Sequence, residues 1–410
     1  MMRQTHSALV GRSDQGVLLR GQSNMRREAQ DVHVARSAKS RSLLIFHPAG
    51  VFFALAAFMA AMLPWVWLLP LDDPQLAHVR LGLFGFGGLA ISGYIMTAQK
   101  AWTGRPFPVS PLVLGALAFA SRLVSLLFPA DAWPMLLLAL PVALFIMVPV
   151  LRAKRWDKVP LAMVPLLLVW AEVMLLQQRD LAGVLPVAIS VLIFIVGGRV
   201  VPSFTAEARR RLGLGDLRRP LLWMAVVLLM IGLLDGGAIG TLALVAAMLW
   251  VMTCSIDGFG LGRANRMLSL GYAGLLPGLL AVVAARFGLV PHLVQVHALT
   301  MGTMGAMILA IASRVTMLRS EYTEIQPRRR HWYALGLIFG SAVARAFAEV
   351  SEQAPLCLLV AGTLWSAAWI VFLSAHVQAL MKPAPFPLLS AKRPRQFVGE
   401  HVDANPARLP

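Results

Sequence analysis

The amino-acid sequence predicts an all-α, polytopic integral membrane protein with about twelve transmembrane helices and both termini in the cytoplasm. The composition supports this class, because 58% of the 410 residues are hydrophobic and only 14% are charged. A soluble domain contains roughly 45–50% apolar and about 25% charged residues. The mean hydropathy of +0.71 also excludes an intrinsically disordered chain, which needs low hydrophobicity.

Twelve apolar runs in the chain are long enough for transmembrane helices. A helix needs about 20 apolar residues to cross the hydrocarbon core of a bilayer. Prolines and charged residues separate the runs, and such residues commonly end helices. The predicted spans are 50–70, 81–99, 109–128, 133–151, 159–177, 181–201, 220–234, 237–256, 267–287, 295–317, 332–350 and 355–380.

The distribution of basic residues is an independent test of this division. Of the 37 Lys and Arg residues, 32 fall in the N-terminal segment, the C-terminal segment and alternate loops, when Arg199 and Arg314 at the ends of their spans are counted with the adjoining loops. The opposite loops, counted in the same manner, contain only Arg80, Arg179 and Arg286. Because cytoplasmic loops are enriched in Lys and Arg, this alternation predicts that both termini are cytoplasmic.

The same alternation predicts three regions of the chain. We expect residues 1–42 to form a basic, disordered cytoplasmic tail, residues 43–380 to form the membrane domain, and residues 381–410 to form a second cytoplasmic tail. The net charge of +18 then lies mainly beside the membrane. It indicates anionic lipid head groups, and not nucleic acid, as the partner of the basic loops.

Three ionisable residues stand out deep inside predicted spans, where such residues are costly and commonly functional. Arg122, Glu172 and Arg345 each lie 12–13 positions into their spans, which places them at a similar depth, about 18–20 Å at 1.5 Å per residue. We therefore expect one Arg–Glu–Arg cluster. It forms either a polar cavity for an anionic group, such as a haem propionate or an anionic substrate, or a brace between helices.

Two histidines near the outer face are candidate metal ligands, because neutral imidazole commonly binds haem iron or copper. His78 precedes the second predicted span, and His297 begins the tenth. His297 shares one α-helical face with Met301 and Met304 by the i, i+4, i+7 spacing. The alternative is that the methionines and nearby glycines serve close helix packing. We assign His331 to a cytoplasmic loop and do not count it as a ligand.

The chain contains several short motifs in a fixed order. They are LFGF at 83–86, GYIMTA at 93–98, WTGR at 102–105, GRVVPSFT at 198–205, and HALTMG at 297–302 followed by RV at 314–315. Taken together, these motifs resemble the NnrS family of bacterial inner-membrane proteins, and the resemblance extends over about residues 43–380. It implies a multi-pass inner-membrane location, a role in nitric-oxide tolerance or denitrification, and binding of haem b or copper.

The chain also departs from the family pattern at three candidate ligands. The family sequence Trp-His-x-His-Glu-Met corresponds here to AHVRLG at 77–82, so His78 is kept and Arg80 replaces a histidine. Ser269 stands where the family has a histidine in Leu-His-x-Gly-Tyr, and the Gly-His-Thr-Gly-Arg motif is replaced around Arg319. By this matching, His78 and His297 are the remaining metal ligands. Arg122 and Arg345 are the candidates to pair with haem propionates.

Three functions remain open from the sequence. The first is an NnrS-type role in tolerance of nitric oxide or related nitrosative stress, through a haem held by His78 and His297. The second is a secondary transporter that uses Arg122, Glu172 and Arg345. The third is a scaffold that has lost its ligands. The sequence contains no Walker A loop, dinucleotide-binding fingerprint or zinc-hydrolase helix, so it indicates no particular enzyme class.

Overall fold

The computed structural model describes residues 43–104, 109–215, 221–317 and 325–384. These residues are largely helical and contain no β-strand, apart from an isolated bridge between Leu43 and Pro383. The predicted all-α class is therefore confirmed. The predicted tail at 1–42, and the part of the second tail beyond residue 384, lie outside the described residues.

Every predicted span overlaps a helix in the described part of the chain. Nine of these helices are long and apolar enough to cross a membrane, judged by length and composition; the others are the third, seventh and eleventh. The count of twelve spans and the cytoplasmic termini stay predictions. In chain order the helices are α1 (Pro48–Leu68), α2 (Pro74–Thr103), α3 (Pro111–Leu127), α4 (Met135–Arg152), α5 (Trp156–Gln177), α6 (Leu181–Arg211), α7 (Leu222–Leu234), α8 (Ala238–Phe259), α9 (Arg263–Arg286), α10 (His292–Thr316), α11 (Arg329–Phe347) and α12 (Ala354–Leu380).

The first helix begins at a proline that follows a capping side chain. Pro48 occupies the first position of α1, and the Nδ1 atom of His47 accepts a hydrogen bond from the backbone N–H of Ala49 at 3.2 Å. Burial and the nearby charge of Lys100 lower the pKa of His47 to about 4. At neutral pH the ring is therefore uncharged and has a lone pair with which to cap the helix.

The start of α2 corrects one sequence prediction. Asp73 accepts a hydrogen bond from the backbone N–H of Leu76 at 2.8 Å, and Pro74 occupies the first helical position. This cap starts the helix well before residue 81, where the apolar run begins. Arg80, which we had placed in an outer loop, lies inside α2 and is only 2% exposed.

Four helices meet around Trp365 in α12. Its indole Nε1 donates a hydrogen bond to the carbonyl of Ala60 in α1 at 2.7 Å. Phe86 of α2 packs edge-on against the same indole, with ring centroids 5.8 Å apart. A Cβ atom added to Gly305 of α10 would lie 2.8 Å from the indole. The absence of a side chain at Gly305 therefore allows α10 to pack closely against α12.

The helices of the two candidate ligands, His78 and His297, each contain an eight-residue π-helical segment, and α4 contains a shorter one over Met135–Ala139. In α2 it runs over Arg80–Gly87, and in α10 over Ala298–Gly305. The two segments contact each other, because a Cβ atom added to Gly87 would lie 3.2 Å from the sulfur of Met304. Short π-helical segments are rare and often occur at functional sites. The segment in α10 begins directly after His297, and the segment in α2 begins two residues after His78.

A larger residue at Gly197 is expected to destabilise the contact between α6 and α9. An added Cβ atom would lie 2.3 Å from the buried ring of Tyr272, so Gly197→Ala should cost about 1–3 kcal/mol through overpacking. The measurement is the thermal unfolding midpoint of the purified protein. Gly336→Ala is the matched control, since no atom lies within 4 Å of its added Cβ. An equal midpoint for both variants would contradict the tight contact.

Candidate functional site

His78 and His297 lie beside the two π-helical segments. The imidazole of His78 packs against the indole of Trp67 at the end of α1, with ring centroids 5.5 Å apart. Its Nδ1 atom is buried and has no hydrogen-bond partner among the described residues. Both histidines are partly exposed. Part of each residue therefore lies at the surface of the described bundle.

The hydrogen bond of His297 fixes which of its nitrogens can bind a metal. Its Nδ1 atom lies 2.9 Å from the carbonyl oxygen of Leu293, one helical turn earlier. A carbonyl oxygen can only accept, so Nδ1 carries the proton and Nε2 has the free lone pair. Metal-binding histidines commonly donate their other ring N–H to a backbone carbonyl in this manner. His297 is thus oriented as a ligand would be.

Arg345 of α11 lies in the neighbourhood of the two histidines. Its guanidinium is close enough to interact electrostatically with both imidazoles, and the imidazoles interact with each other. Arg345 forms an ion pair with Glu349, one turn later in the helix. This ion pair limits the motion of a long side chain. Further donors of the guanidinium remain for an anionic group.

A second cluster of charges lies among α2, α3 and α5. Glu172 accepts a hydrogen bond from Nε of Arg80 at 3.0 Å and one from Nη1 of Arg122 at 2.5 Å. The three residues are no more than 4% exposed. Arg80 also donates to the carbonyls of Ser125 and Pro129, at 3.2 and 3.0 Å. It thereby satisfies carbonyl groups at the end of α3, which otherwise would lack partners. We call Arg80, Arg122 and Glu172 the buried triad.

The structure divides the three ionisable residues that we expected to form one cluster. Arg122 and Glu172 pair as expected. Arg345 instead pairs with Glu349 and lies near the histidines. The second arginine of the Arg–Glu–Arg cluster is Arg80, which was not a candidate. The sequence feature that could have placed Arg80 inside the helix is the Asp-Pro pair at 73–74. Such a cap predicts a helix that begins before the apolar run.

Two further buried histidines lie in the interior of the bundle. His331, which we had assigned to a loop, is in the first turn of α11 and fully buried. Its Nε2 lies 3.0 Å from the hydroxyl of Thr316, and its Nδ1 accepts from the backbone N–H of Arg328 at 3.1 Å. His376 of α12 lies 2.8 Å from the carbonyl of Gly50. These hydrogen bonds account for both nitrogens of His331 and one nitrogen of His376, which indicates packing roles.

A comparison with known families now identifies the group of proteins to which this chain is related. The model for the NnrS protein family matches residues 47–384. The chain belongs to the NnrS family. The match covers most of the chain and includes all twelve helices. No curated protein matches the chain significantly.

The positions at which this NnrS chain departs from the family pattern have different surroundings. Arg80 is part of the buried triad. Ser269 of α9 is buried, and its hydroxyl has no partner among the described residues. An added Cβ at Gly258 of α8 would lie 2.4 Å from that hydroxyl, so the two helices pack closely at this point. Arg319 lies outside the described residues.

The candidate metal ligands of the NnrS chain are two histidines, His78 and His297. Within the described ranges, no group of three or more His, Cys, Asp or Glu side chains is placed to hold a metal ion. Imidazole is a residue type that binds haem iron, so these two histidines would be the residues to hold such a group. The copper expected from the family resemblance stays an untested prediction.

Proposed function

We propose that the protein acts in tolerance of nitric oxide and binds a haem b through His78 and His297. The observation that carries this proposal is the position of His297, whose Nδ1–H is bound to Leu293 while Nε2 is free. His78 lies near enough to interact with it electrostatically. The iron of a bound haem would supply a site at which nitric oxide coordinates in place of one of the two imidazoles.

The protein's own residues would bind and orient the cofactor. His78 and His297 would each present one imidazole nitrogen to the iron. The indole of Trp67, packed against His78, would restrict rotation of that ring. Arg345, held by Glu349, supplies a positive charge for a haem propionate, since guanidinium and carboxylate form strong charge-assisted hydrogen bonds. Arg122, our second candidate for a propionate, already pairs with Glu172.

The purified protein is expected to show the absorption spectrum of a haem protein. The measurement combines oxidised and dithionite-reduced spectra in mild detergent with a pyridine haemochrome assay and metal analysis. We expect about one haem per chain and a Soret band that shifts when nitric oxide is added. A folded protein that is colourless after expression with excess haem would contradict the proposal. The metal analysis also tests for copper.

The other two interpretations have less support from the structure. The transporter interpretation assumed one substrate site built from Arg122, Glu172 and Arg345, and the structure separates Arg345 from the other two. Neither the fold nor the family match favours a scaffold over a haem protein. A scaffold without a cofactor is the expected alternative if the haem spectrum is absent and the protein is isolated together with a respiratory enzyme.

A further inference from the structure

A small cavity lies against the buried triad. Its volume is about 50 Å³, and it is lined by residues of α2, α3, α4 and α5. One water-sized group needs about 10–15 Å³ on this measure, so the cavity holds several such groups. Arg122 and Glu172 are the charged residues of its lining; Ser92 adds a hydroxyl, and the other lining residues are apolar.

The charges beside the cavity do not balance. The triad contains two guanidinium groups and one carboxylate, and arginine keeps its proton in proteins. One positive charge is therefore in excess at a buried position. The carbonyls of Ser125 and Pro129 offset part of it at Arg80. Arg122 borders the cavity and donates to Glu172 and to the hydroxyl of Ser121. A buried excess charge is costly, so a monoanionic group in the cavity would stabilise the site.

The mouth of the cavity is on the apolar side of the bundle. Ala118, Ala139 and Leu168 line the cavity and are partly exposed. Large apolar side chains two positions away along α4 and α5 are also exposed, with Leu137 at 65% and Trp170 at 62%. Such a surface faces lipid in a membrane protein. A ligand that enters here therefore comes from the bilayer and has an apolar tail.

From these observations we infer that the cavity binds the carboxylate head of a membrane amphiphile, such as a long-chain fatty acid. The carboxylate would lie beside Arg122 and neutralise the excess charge. The first methylene groups would fill the apolar part of the cavity, and the tail would leave past Ala118 and Ala139 into the bilayer. This site is separate from the proposed haem site and does not depend on it.

Thermal unfolding in an uncharged detergent tests this inference, with decanoate as the probe. Decanol carries a tail of the same length without the charge, and sodium nitrate carries a free monoanion without the tail. At matched ionic strength, decanoate should raise the unfolding midpoint in a saturable manner, and the other two should raise it far less. An equal effect of nitrate would overturn the amphiphile as the ligand, and an equal effect of decanol would overturn the role of charge.

Substitutions locate the effect at the cavity. Arg122→Gln removes the excess charge and should weaken decanoate binding by about tenfold or more, since hydrogen bonds to charged groups contribute that much. Arg122→Lys keeps the charge and should retain most of the response. Ala139→Leu fills the mouth but leaves all three charges, so it decides the outcome if Arg122→Gln does not fold. Ala246→Leu is the matched control, because Ala246 is a half-buried alanine of α8 outside this lining. A native-like decanoate response in Ala139→Leu would overturn the inference.

Discussion

Glu172→Ala is expected to prevent the accumulation of folded protein in the membrane. The Glu172 carboxylate is the shared partner of Arg80 and Arg122, and all three side chains are buried. Its removal leaves two guanidinium groups beside each other without their counter-charge. Breaking a buried ion pair in this manner costs about 3–5 kcal/mol. That is a large part of a typical stability of about 5–15 kcal/mol.

Size-exclusion chromatography of detergent-solubilised membranes measures this loss as the disappearance of the monodisperse peak. Glu349→Ala is the control, because it also removes the carboxylate of an Arg–Glu pair. The Glu349 and Arg345 side chains are 19% and 14% exposed, so solvent can compensate part of the loss, which should cost less than breaking the fully buried triad. Its peak should therefore remain. Equal losses for both variants would contradict the special role of the triad.

A triple substitution separates the effect of charge from that of packing. Replacing Arg80 and Arg122 with methionine together with Glu172→Leu removes every charge and keeps most of the volume. Apolar replacements of buried ion pairs are often neutral or stabilising, so we expect the folded peak to return. A triple variant as unstable as Glu172→Ala would show that the polar contacts themselves, such as those of Arg80 with Ser125 and Pro129, are needed.

Hydropathy was sufficient to predict the positions of the helices, but not which helices are neighbours. The apolar run that begins at residue 81 marks the part of α2 that is suited to hydrocarbon. The helix itself begins at Pro74, because its start depends on the cap at Asp73. Equal depth along their spans correctly predicted that Arg122 pairs with Glu172. Depth alone could not show that Arg345 lies outside this cluster, since residues at one depth can lie on opposite sides of a bundle.

The π-helical segments were also beyond prediction from periodicity. Assigning His297, Met301 and Met304 to one face assumed 3.6 residues per turn. A π-helical segment makes i→i+5 hydrogen bonds and has more residues per turn, so that spacing no longer holds over Ala298–Gly305. The structure buries Met304 against Gly87 and leaves Met301 partly exposed. Close helix packing, the alternative interpretation, is therefore the role observed for Met304.

Alanine at either His78 or His297 is expected to remove the haem from the protein completely. In the proposed site each imidazole would bind the iron, and alanine has no atom that can replace it. Oxidised and reduced spectra of purified variants, with haem counted per chain, measure the loss. His292→Ala is the matched control, because His292 also lies in α10 but is exposed and packs beside Gly183. Its haem content should equal that of the native chain.

The haem content of His78→Ala and His297→Ala should also differ from that of a variant at Arg345, the proposed partner of a haem propionate. Arg345→Ala removes a charge that holds the rim of the haem but leaves both axial nitrogens, so we expect a weakened and more easily lost cofactor with an unchanged Soret position. Glu349→Ala should have a smaller effect of the same kind, since it only frees the Arg345 side chain. If His78→Ala and His297→Ala keep a native spectrum, the cofactor lies elsewhere. If Arg345→Ala loses the haem as completely as they do, the arginine is needed to shape the site and not only to pair with a propionate.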